Sequence, residues 1–540
     1  MRIVIVGGVA GGMSAATRLR RLDEQAQIVV LERSGHVSFA NCGLPYHVGG
    51  VIEQRGDLLL QTPQSLADRF ALDVRVNTEA VAIDRDRKIV TVRSVLTEDR
   101  EDIEYDALVL SPGARPVRPP IPGIERALTL RDIEDTDAIV KAVADAKTVT
   151  VIGGGFIGVE MAENLRHLGL EVTLVEATSQ LMAPLDPELA SLVHERVRAH
   201  EVDLRLGVAV TSIGADTVTI SDGTEAPAEV VIAAIGVRPD TSLAERAGLK
   251  IGPRGGVFVD DSLRTSDPHI YAVGDAVEKL DGIDGSQALV PLANTANRQG
   301  RLVADIIAGR SVHNPGVLGT AIVGVFGLQV AATGWNEKRL RAAHRPYVAI
   351  HTHPGSHAGY YPGADTMHLK LLAEPDTWQI LGAQGVGESG VDKRIDVIAT
   401  AMRGGLTAAD LATLELAYAP AFGSAKDPIN MLGWIADNLS TGATQSIQWH
   451  ELDDALSQGA TLVDVRSPGE HAAGAIPGAV NIELDHLRSR LHELPEGNLV
   501  VHCQVGIRGH IAARILAEHG RSVRNLDGGY LTWLAGTSLN

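Results

Sequence analysis

The chain has 540 residues, a formal net charge of -19 and only two cysteines, Cys42 and Cys503. Its length exceeds what one hydrophobic core supports and predicts three or four domains. The acidic charge excludes a chain that binds nucleic acid over its whole surface, and two cysteines cannot build the disulfide framework of a secreted protein. The apolar runs are too short for a bilayer crossing or a signal sequence. We therefore expect a multidomain cytoplasmic protein with no membrane or nucleic-acid partner.

The N-terminal segment has the order of a dinucleotide-binding βαβ unit: a strand at Arg2–Val6, a glycine turn, a helix at Met13–Leu22 and a second strand that ends before Glu32. Such glycines permit a tight turn, the helix N-terminus faces a pyrophosphate, and the acid binds a ribose hydroxyl. Val9 replaces the middle glycine of G-x-G-x-x-G, so this copy alone is also compatible with an ordinary α/β turn. The predicted cofactor-binding residues here are Gly7, Gly8, Ala10, Gly11, Gly12, Glu32 and Arg33.

Cys42 follows in the stretch SFANCGLPY and has no cysteine partner nearby, since Pro45 or Tyr46 stands where a second thiol would be. A single thiol cannot form an internal disulfide. It must form a sulfenic acid or a mixed disulfide with an external sulfur and then be reduced again. A buried packing cysteine is the alternative, but Asn41, Gly43 and Pro45 favour a loop. We expect flavin contact and nearby donors to keep this thiol ionised.

A second and complete copy of the βαβ unit begins with a strand at Thr148–Ile152, continues with a helix through Leu168 and ends at Glu176. Its glycines, Gly153, Gly155 and Gly158, are in full G-x-G-x-x-G register. Two dinucleotide units in one chain indicate hydride transfer from a nicotinamide to a flavin. Glu176 would repel the additional phosphate of NADPH and no arginine follows it, so we predict NADH, with NADPH as the alternative.

Three histidines in HTHPGSH, namely His351, His353 and His357, match no common zinc spacing, and we predict a solvated or packed loop there rather than a metal site. A polar linker is predicted at Ser440–Gln445, after an amphipathic segment at Ile429–Leu439, and a further domain begins near Ile447.

Within this last domain, strands are predicted at Thr461–Val465 and Asn498–His502, and Cys503 ends the second of them. The following loop consists of Gln504, Val505, Gly506, Ile507 and Arg508. Its backbone N–H groups and the helix N-terminus behind it would stabilise a thiolate or a persulfide anion.

Five segments resemble the coenzyme A-disulfide reductases: GGVAGG, SFANCGLPY, HAGYYPGA, VDKRIDVIATAM and YAPAFGSAKDPINM. DVRSPGEHAAGAIPGAVNI and CQVGIRGH resemble a rhodanese domain. The resemblance implies an α/β protein with two Rossmann-like domains for FAD and NADH, an α+β dimerisation domain and a C-terminal α/β rhodanese domain. The implied boundaries are 1–114 with 240–322 for FAD, 115–239 for NADH, 323–440 for dimerisation and 447–540 for the rhodanese.

The segments LVLSPGA, VIAAIGVRP and TSDPHIYAVGD resemble the strand-and-turn crossings and the second flavin motif of the same superfamily, in which the residue at Asp275 contacts the ribityl chain. The further implied cofactor-binding residues are Asn41, Ser111, Gly113, Gly236, Gly274 and Asp275, with Gly153, Gly155, Gly158 and Glu176 of the second turn.

By the same resemblance, substrate contacts fall on Ser14, Arg18, Arg21, Ser38, Asn41 and Lys426. Arg18 and Arg21 share a helical face and could hold the phosphates of coenzyme A, although surface solvation explains them as well. Phe70 stands where a basic residue can occur. The implied catalytic residues are Cys42, Cys503, Tyr360 and Tyr418, and the two tyrosines would come from the partner subunit of a homodimer. Asp464 and Arg466 are assigned structural support.

The sequence thus predicts an FAD-dependent NADH oxidoreductase that reduces persulfides or polysulfides, coenzyme A persulfide in particular, and releases hydrogen sulfide. In this hypothesis the rhodanese domain supplies sulfane sulfur and Cys42 attacks the resulting persulfide. Coenzyme A would be a substrate or a bound carrier. One alternative is a coenzyme A-disulfide reductase with an accessory rhodanese domain. A flavin redox sensor and an NADH oxidase are two further alternatives, the latter disfavoured because Ala10 stands where oxidases usually carry a histidine.

Overall fold

The computed structural model describes residues 1–538, which divide into two compact units. The first unit contains Met1–Ser179 and His200–Gly319, and the second contains Gln180–Ala199 and the chain from Thr320 onwards. Among these residues, no helix has both the length and the apolar character that a bilayer crossing requires.

The first unit is built on a parallel five-stranded sheet, the N-terminal sheet. Its strand order is Ile270–Ala272, Ala107–Leu110, Arg2–Val6, Gln27–Leu31 and Asp73–Arg75. Ile3, Val4 and Ile5 are fully buried, as expected for a parallel strand that is covered on both faces. The helices Ala10–Leu22 and Ala293–Ile307 pack together over this sheet.

A second parallel sheet in the same unit has the order Asp203–Leu206, Glu171–Glu176, Thr148–Ile152 and Val230–Ala233. The chain crosses between the two sheets on an antiparallel pair, Ala114–Pro116 with Val237–Pro239. The first unit also has two antiparallel three-stranded sheets: Thr78–Asp84, Ile89–Ser94 and Arg100–Glu104, and Val210–Ile213, Thr217–Ile220 and Glu225–Pro227. An antiparallel pair, Lys279–Leu280 with Gln287–Ala288, completes its β-structure. The remaining helices are Leu44–Val48, Pro63–Phe70, Ile133–Val143, Phe156–His167 and Ser242–Arg246.

The second unit contains an antiparallel five-stranded sheet with the order Ala321–Val325, Leu328–Gly334, Ile380–Gly387, His368–Ala373 and Val348–Thr352. Its helices are Pro187–Ala199, Glu337–Ala342, Val391–Gly404 and Pro428–Ser440. Leu371, Ile395 and Leu432 belong to one buried cluster that joins this sheet to its helices.

The C-terminal module, residues 446–538, adds a parallel five-stranded sheet to the second unit. Its order is Ser446–Ile447, Val523–Leu526, Leu499–His502, Thr461–Asp464 and Val480–Asn481. Helices Leu452–Ser457, Pro468–Ala472, Leu484–Leu487, Ile507–Glu518 and Gly529–Thr537 surround it. Two parallel α/β sheets in the first unit, an α+β sheet and a C-terminal α/β module confirm the predicted fold class.

The structure differs from the sequence interpretation at residues 180–199. The sequence places them inside the nicotinamide domain, 115–239, whereas they belong to the second unit. Contacts with the antiparallel sheet accompany this placement, since buried Glu188 on this segment pairs with buried Lys370 of that sheet. The other domain boundaries remain predictions.

Candidate functional site

The first glycine turn brings the backbone of two strands into close approach. Gly7 has φ +100°, and a Cβ there would lie 2.0 Å from the carbonyl oxygen of Ser111. A Cβ on Gly12 would lie 1.9 Å from the oxygen of Gly7. Gly7 and Gly12 therefore have no room for a side chain at this turn. The turn keeps its shape with Val9 at the middle position of the motif because these two glycines are present.

Glu32 closes this turn from the next strand. Its carboxylate accepts hydrogen bonds from the Gly8 N–H at 2.8 Å and the Ser34 N–H at 2.9 Å. Burial raises the pKa of Glu32, although these backbone hydrogen bonds oppose the shift. The carboxylate is thus placed at the turn, where a ribose hydroxyl would reach it.

The second turn repeats this geometry. A Cβ on Gly158 would lie 1.8 Å from the oxygen of Gly153, and Glu176 accepts from the Gly154 N–H at 2.7 Å. At Gly155 no heavy atom of the described chain lies within 4 Å of where a Cβ would stand. Gly155 therefore leaves the open approach that a pyrophosphate needs, while Gly153 and Gly158 hold the turn.

Asp275 carries a buried acceptor with no protein partner. Among residues 1–538, no donor reaches its Oδ1. Burial raises the pKa of Asp275, and the neighbouring Lys279 opposes this shift. Gly274, the residue before it, is held on both sides: its N–H donates to Gln299 and its carbonyl accepts from Lys279. A buried acceptor of this kind needs a donor, and a hydroxyl of a polyol chain fits it. The residues present thus fit the flavin that the sequence predicts.

The other predicted cofactor residues lie around the same turn. Ser111 Oγ lies 2.8 Å from where a Gly11 Cβ would stand, and Gly113 and Gly236, both with positive φ, have open space beside them.

Cys42 is exposed and lies in a short 3-10 turn, Asn41–Gly43, just before the helix Leu44–Val48. It is therefore not the buried packing cysteine that the sequence left open. Burial, Glu160 and Asp275 all raise the pKa of Cys42. The nearby charged groups that act on the thiol are thus acids, contrary to the expectation of donors that favour the thiolate, because Glu160 approaches from the second nucleotide-binding segment.

A carboxyl that sequence reasoning missed lies in this region. Tyr46 donates a hydrogen bond to Glu160 Oε1 at 3.2 Å. Burial, together with the neighbouring Glu163, raises the pKa of Glu160 to about 7 although this hydrogen bond opposes the shift. Burial and Glu160 raise the pKa of Tyr46 to about 12. Glu160 can therefore exchange a proton near neutral pH, and its position two residues after the last motif glycine was the available signal.

The predicted substrate contacts are partly engaged within the protein. Arg18 forms an ion pair with buried Asp305 at 2.7 Å, and Arg310 reaches the same carboxylate at 3.1 Å. Ser14 donates to Asn297 at 2.6 Å, and Arg21 is exposed. Arg21 is thus the freer of the two helix-face arginines.

The remaining predicted contacts lie elsewhere. Asn41 belongs to the Cys42 turn and Ser38 precedes it in the first unit, with φ +51°. Lys426 is exposed and belongs to the second unit. Phe70 packs against the hydrophobic core.

Tyr360 and Tyr418 of the second unit lie together. Their hydroxyl oxygens are 2.8 Å apart, and 77% and 47% of their surfaces are exposed. This hydrogen bond raises the pKa of Tyr418. Tyr361 and Phe422 are exposed as well. An exposed aromatic group of this kind is typical of an interaction surface.

Cys503 is fully buried at the end of the strand Leu499–His502. The Gly506 N–H donates to its sulfur at 3.2 Å, and the helix Ile507–Glu518 begins directly behind it. Gly506 has φ +99°, and its carbonyl accepts from Asn525 Nδ2 at 3.2 Å. The loop therefore directs a backbone donor at the sulfur, which stabilises an anion there.

Three residues outside this loop hold it in place, namely Asp464, Arg466 and Asn525. Arg466 binds Asp464 through two nitrogens and donates to Gln504 at 3.0 Å, which fits the supporting role expected of that pair. Val505 completes the loop. Asn525 was missed by sequence reasoning: a Cβ on Gly509 would lie 2.2 Å from its Oδ1, so this asparagine explains the glycine after the loop.

The structure divides the histidine run: His351 is buried in the strand Val348–Thr352, contrary to the predicted loop, whereas His353 and His357 lie in the loop that follows this strand. His351 contacts Asp527 at 2.6 Å and Glu188 at 3.1 Å, while Lys370 binds Glu188, Asp186 at 3.0 Å and Glu337 at 2.6 Å. These six residues form the ionic cluster, in which the ammonium of Lys370 is the cation among three carboxylates.

Charge balance in the ionic cluster sets the protonation of its histidine. Burial alone would lower the pKa of His351, but hydrogen bonds to Asp527 and Glu188 raise it to about 9. The nearby His353 contacts His368 at 2.9 Å and Thr532 at 2.7 Å. The cluster therefore ties the antiparallel sheet to the C-terminal module.

Comparison with known proteins is consistent with this arrangement. The model of the pyridine nucleotide-disulphide oxidoreductases matches residues 1–300, and that of their dimerisation domain matches residues 320–427. The chain belongs to this oxidoreductase family. The family uses a flavin and a pyridine nucleotide, as the two turns and Asp275 indicate. A rhodanese-like domain matches residues 448–536.

Three relatives show how far the likeness extends. A coenzyme A disulfide reductase of Staphylococcus haemolyticus is 34% identical over 441 residues, which is 81% of this chain and 100% of the relative. The crystal structure of reduced Bacillus anthracis CoADR-RHD has 48% identity and a TM-score of 0.98 over 99% of this chain and 98% of that one. An NAD-dependent persulfide reductase from A. fulgidus has 38% identity and a TM-score of 0.93 over 99% of this chain and 100% of that one.

Proposed function

We propose that this oxidoreductase reduces persulfides, with coenzyme A persulfide as the leading substrate, at the expense of NADH and with FAD as its flavin. One observation carries the proposal: the chain combines an exposed single thiol, Cys42, with a second thiol, Cys503, held in an anion-stabilising loop. A sulfur carrier and a redox thiol in one protein fit sulfane sulfur as the shared intermediate. The full-length likeness to a persulfide reductase supports this reading.

The overall reaction balances as R–S–SH + NADH + H⁺ → R–SH + H₂S + NAD⁺. Cys42 as thiolate attacks one sulfur of the S–S bond, which breaks, and either HS⁻ or RS⁻ leaves. Two electrons and a proton then return Cys42 to the thiolate and release the second product. When bound, a flavin would supply these electrons, which it would receive as a hydride from the nucleotide.

The residues of the chain would hold the reactants as follows. Glu32 and Asp275 would bind the ribose and ribityl hydroxyls of FAD, and Glu176 would bind the ribose of NADH. Glu160, with its pKa at about 7, can give or take the proton that accompanies turnover. Arg21 and Lys426 would bind the phosphates of coenzyme A, and Tyr360 and Tyr418 would complete the site from the partner subunit of a homodimer.

The first test is anaerobic steady-state oxidation of NADH by the FAD-loaded protein with coenzyme A persulfide, polysulfide and coenzyme A disulfide at matched concentrations. We expect kcat/KM for the persulfide to exceed that for the disulfide at least tenfold, about 1.4 kcal/mol of transition-state preference. Cys42→Ser should abolish turnover with all three acceptors because no thiolate remains to attack. Rapid flavin reduction by NADH, followed by absorbance, should be unchanged in that variant and is the control.

Full turnover in Cys42→Ser would overturn the proposal. A disulfide preference would favour a second candidate, a coenzyme A-disulfide reductase, which the 441-residue relative supports because it matches the chain without its C-terminal module. Cys503→Ser separates the two. Persulfide reduction fed by sulfur transfer should fall in this variant, whereas disulfide reduction should not change.

A further inference from the structure

The loop after Cys503 carries a single charge, and the protein neutralises it. In the loop CQVGIR, only Arg508 is charged. Its two terminal nitrogens donate to the two carboxylate oxygens of Glu470 at 2.6 and 2.8 Å. A two-point arginine–carboxylate contact is the most directional form of ion pair.

Glu470 is itself fixed in this position. It accepts from both the N–H and the hydroxyl of Ser467 at 3.0 Å, in a capping box at the start of the helix Pro468–Ala472. The hydrogen bond from Arg508 holds the pKa of Glu470 at about 2. The carboxylate is therefore charged, and already oriented toward Arg508, under all assay conditions.

The other charges around the loop also cancel. Arg466 is paired with Asp464, and the same carboxylate binds His471 at 2.8 Å. Burial lowers the pKa of His502 to about 4, so this neighbour of Cys503 is neutral. The outer face of the loop is apolar instead: Ile507 is 58% exposed, and Ile511, one helical turn later, is 41% exposed.

From this arrangement we propose that Glu470 is a specificity-determining residue for sulfur transfer to Cys503. Arg508 also reaches the Cys503 sulfur, and by pairing with Arg508, Glu470 offsets the positive charge that would attract a small dianion there. The loop then selects organic persulfides, whose leaving group places a single thiolate charge next to the reacting sulfur, over thiosulfate, whose leaving group is the compact sulfite dianion. The inference deepens the proposed function because it names the donor that loads the C-terminal module.

The transfer step balances for both donors. With an organic persulfide, the Cys503 thiolate attacks the outer sulfur, the S–S bond of R–S–SH breaks, and Cys503–S–SH and RS⁻ result. With thiosulfate, the same attack breaks the S–S bond and gives Cys503–S–S⁻ and SO₃²⁻. The two donors differ chiefly in the charge next to the reacting sulfur, which is single for the organic thiolate and double for sulfite.

The experiment measures single-turnover persulfide formation on Cys503 by intact mass spectrometry, in a Cys42→Ser background without NADH. Glutathione persulfide and thiosulfate are the two probes. We expect wild-type Glu470 to favour glutathione persulfide, and Glu470→Gln to raise the thiosulfate rate constant roughly tenfold, since an unpaired guanidinium attracts a dianion more than a neutral pair does. The rate constant with glutathione persulfide should change less than about twofold, and added salt should reduce the thiosulfate gain.

Glu493→Gln is the matched control, because it removes the same charge from an exposed pair with Arg490 in the same module. It should alter neither rate constant. The double variant Glu470→Gln/Arg508→Gln separates a charge effect from damage to the loop. It removes both charges and should restore the wild-type ratio of the two rate constants. A wild-type preference for thiosulfate, or a donor ratio unchanged in Glu470→Gln, overturns the inference. Because no NADH is present, this result is independent of whether the reductase acts on persulfides.

Discussion

Asp275 is the residue at which the protein most directly indicates a ligand. Its Oδ1 is buried and, among the described residues, has no donor. We expect Asp275→Ala to weaken FAD binding about 10- to 100-fold, because a hydrogen bond to a charged group contributes about 1.5–3 kcal/mol. Titration of the apoprotein with FAD, followed by flavin fluorescence, measures this. Asp222→Ala, which removes an exposed carboxylate from a hairpin turn, should leave the Kd unchanged. Equal dissociation constants for all three proteins would contradict the assignment.

Residues in the glycine turns could be placed from the sequence, whereas several polar residues at the two thiols could not. Gly7 and Gly153 are required by backbone geometry, which a local motif encodes. Glu160, Glu470 and Asn525 act through contacts with residues distant in sequence, and only Glu160 has a local signal, its position two residues after the last motif glycine. The raised pKa of Cys42, which burial causes together with Glu160 and Asp275, likewise depends on residues distant in sequence.

At the scale of the element, the strand Val348–Thr352 shows how a short pattern can mislead. His351 was expected in a loop, yet it belongs to a strand that packs against the C-terminal module. The first two strands of each nucleotide-binding unit were predicted within a residue or two, because continuous apolar runs followed by glycine turns have few alternatives. A strand that buries a charged side chain, as this one buries His351, has no such apolar run in its sequence, because the ion-pair partners of that side chain come from other segments.

The buried histidine of this strand predicts a pH-dependent stability. The folded pKa of His351, about 9, lies above its unfolded value of 6.5. Its contribution is therefore fully present below about pH 6.5 and is lost as the pH rises through 9, a loss on the order of 3 kcal/mol. The groups that face it are Glu188, Asp527, Lys370 and His353. Thermal unfolding of the second unit should shift downward by roughly 5–10 °C between pH 6.5 and 9.5.

The histidine itself can be tested with His351→Gln, which keeps a side chain able to form hydrogen bonds but cannot titrate. At pH 6.5 this variant should unfold at a lower temperature than the wild type. Between pH 6.5 and pH 9.5 its unfolding temperature should fall less than that of the wild type. Parallel pH profiles for the two proteins would show that other groups cause the dependence.

At the scale of the whole molecule, the C-terminal module is joined to the preceding helix by a tethered segment and not by a free linker. The sequence predicted a linker at Ser440–Gln445, but Thr444 contacts His510 at 2.8 Å and Gln445 accepts from Asn525 at 2.9 Å. We therefore expect limited digestion with proteinase K to leave residues 440–445 intact.

A hairpin tip within the same chain provides the control for this digestion. Val95 and Leu96 are 42% and 76% exposed at a turn between two strands, where proteases usually cut. Mass spectrometry of early fragments should show cleavage near these residues first. Early cleavage at 440–445 would mean that the tethering contacts open readily in solution.

The ionic cluster also has a consequence for biosynthesis. Its members are spread from Asp186 to Asp527, so translation delivers the partners of His351 far apart in time. At roughly 5–20 residues per second, Glu188 leaves the ribosome on the order of tens of seconds before Asp527. Until Asp527 has been synthesised, His351, which is buried in the folded protein, can pair with Glu188 only. The second unit thus reaches its final charge balance only as the last residues are made, and a nascent chain that stops early lacks the carboxylate that completes it.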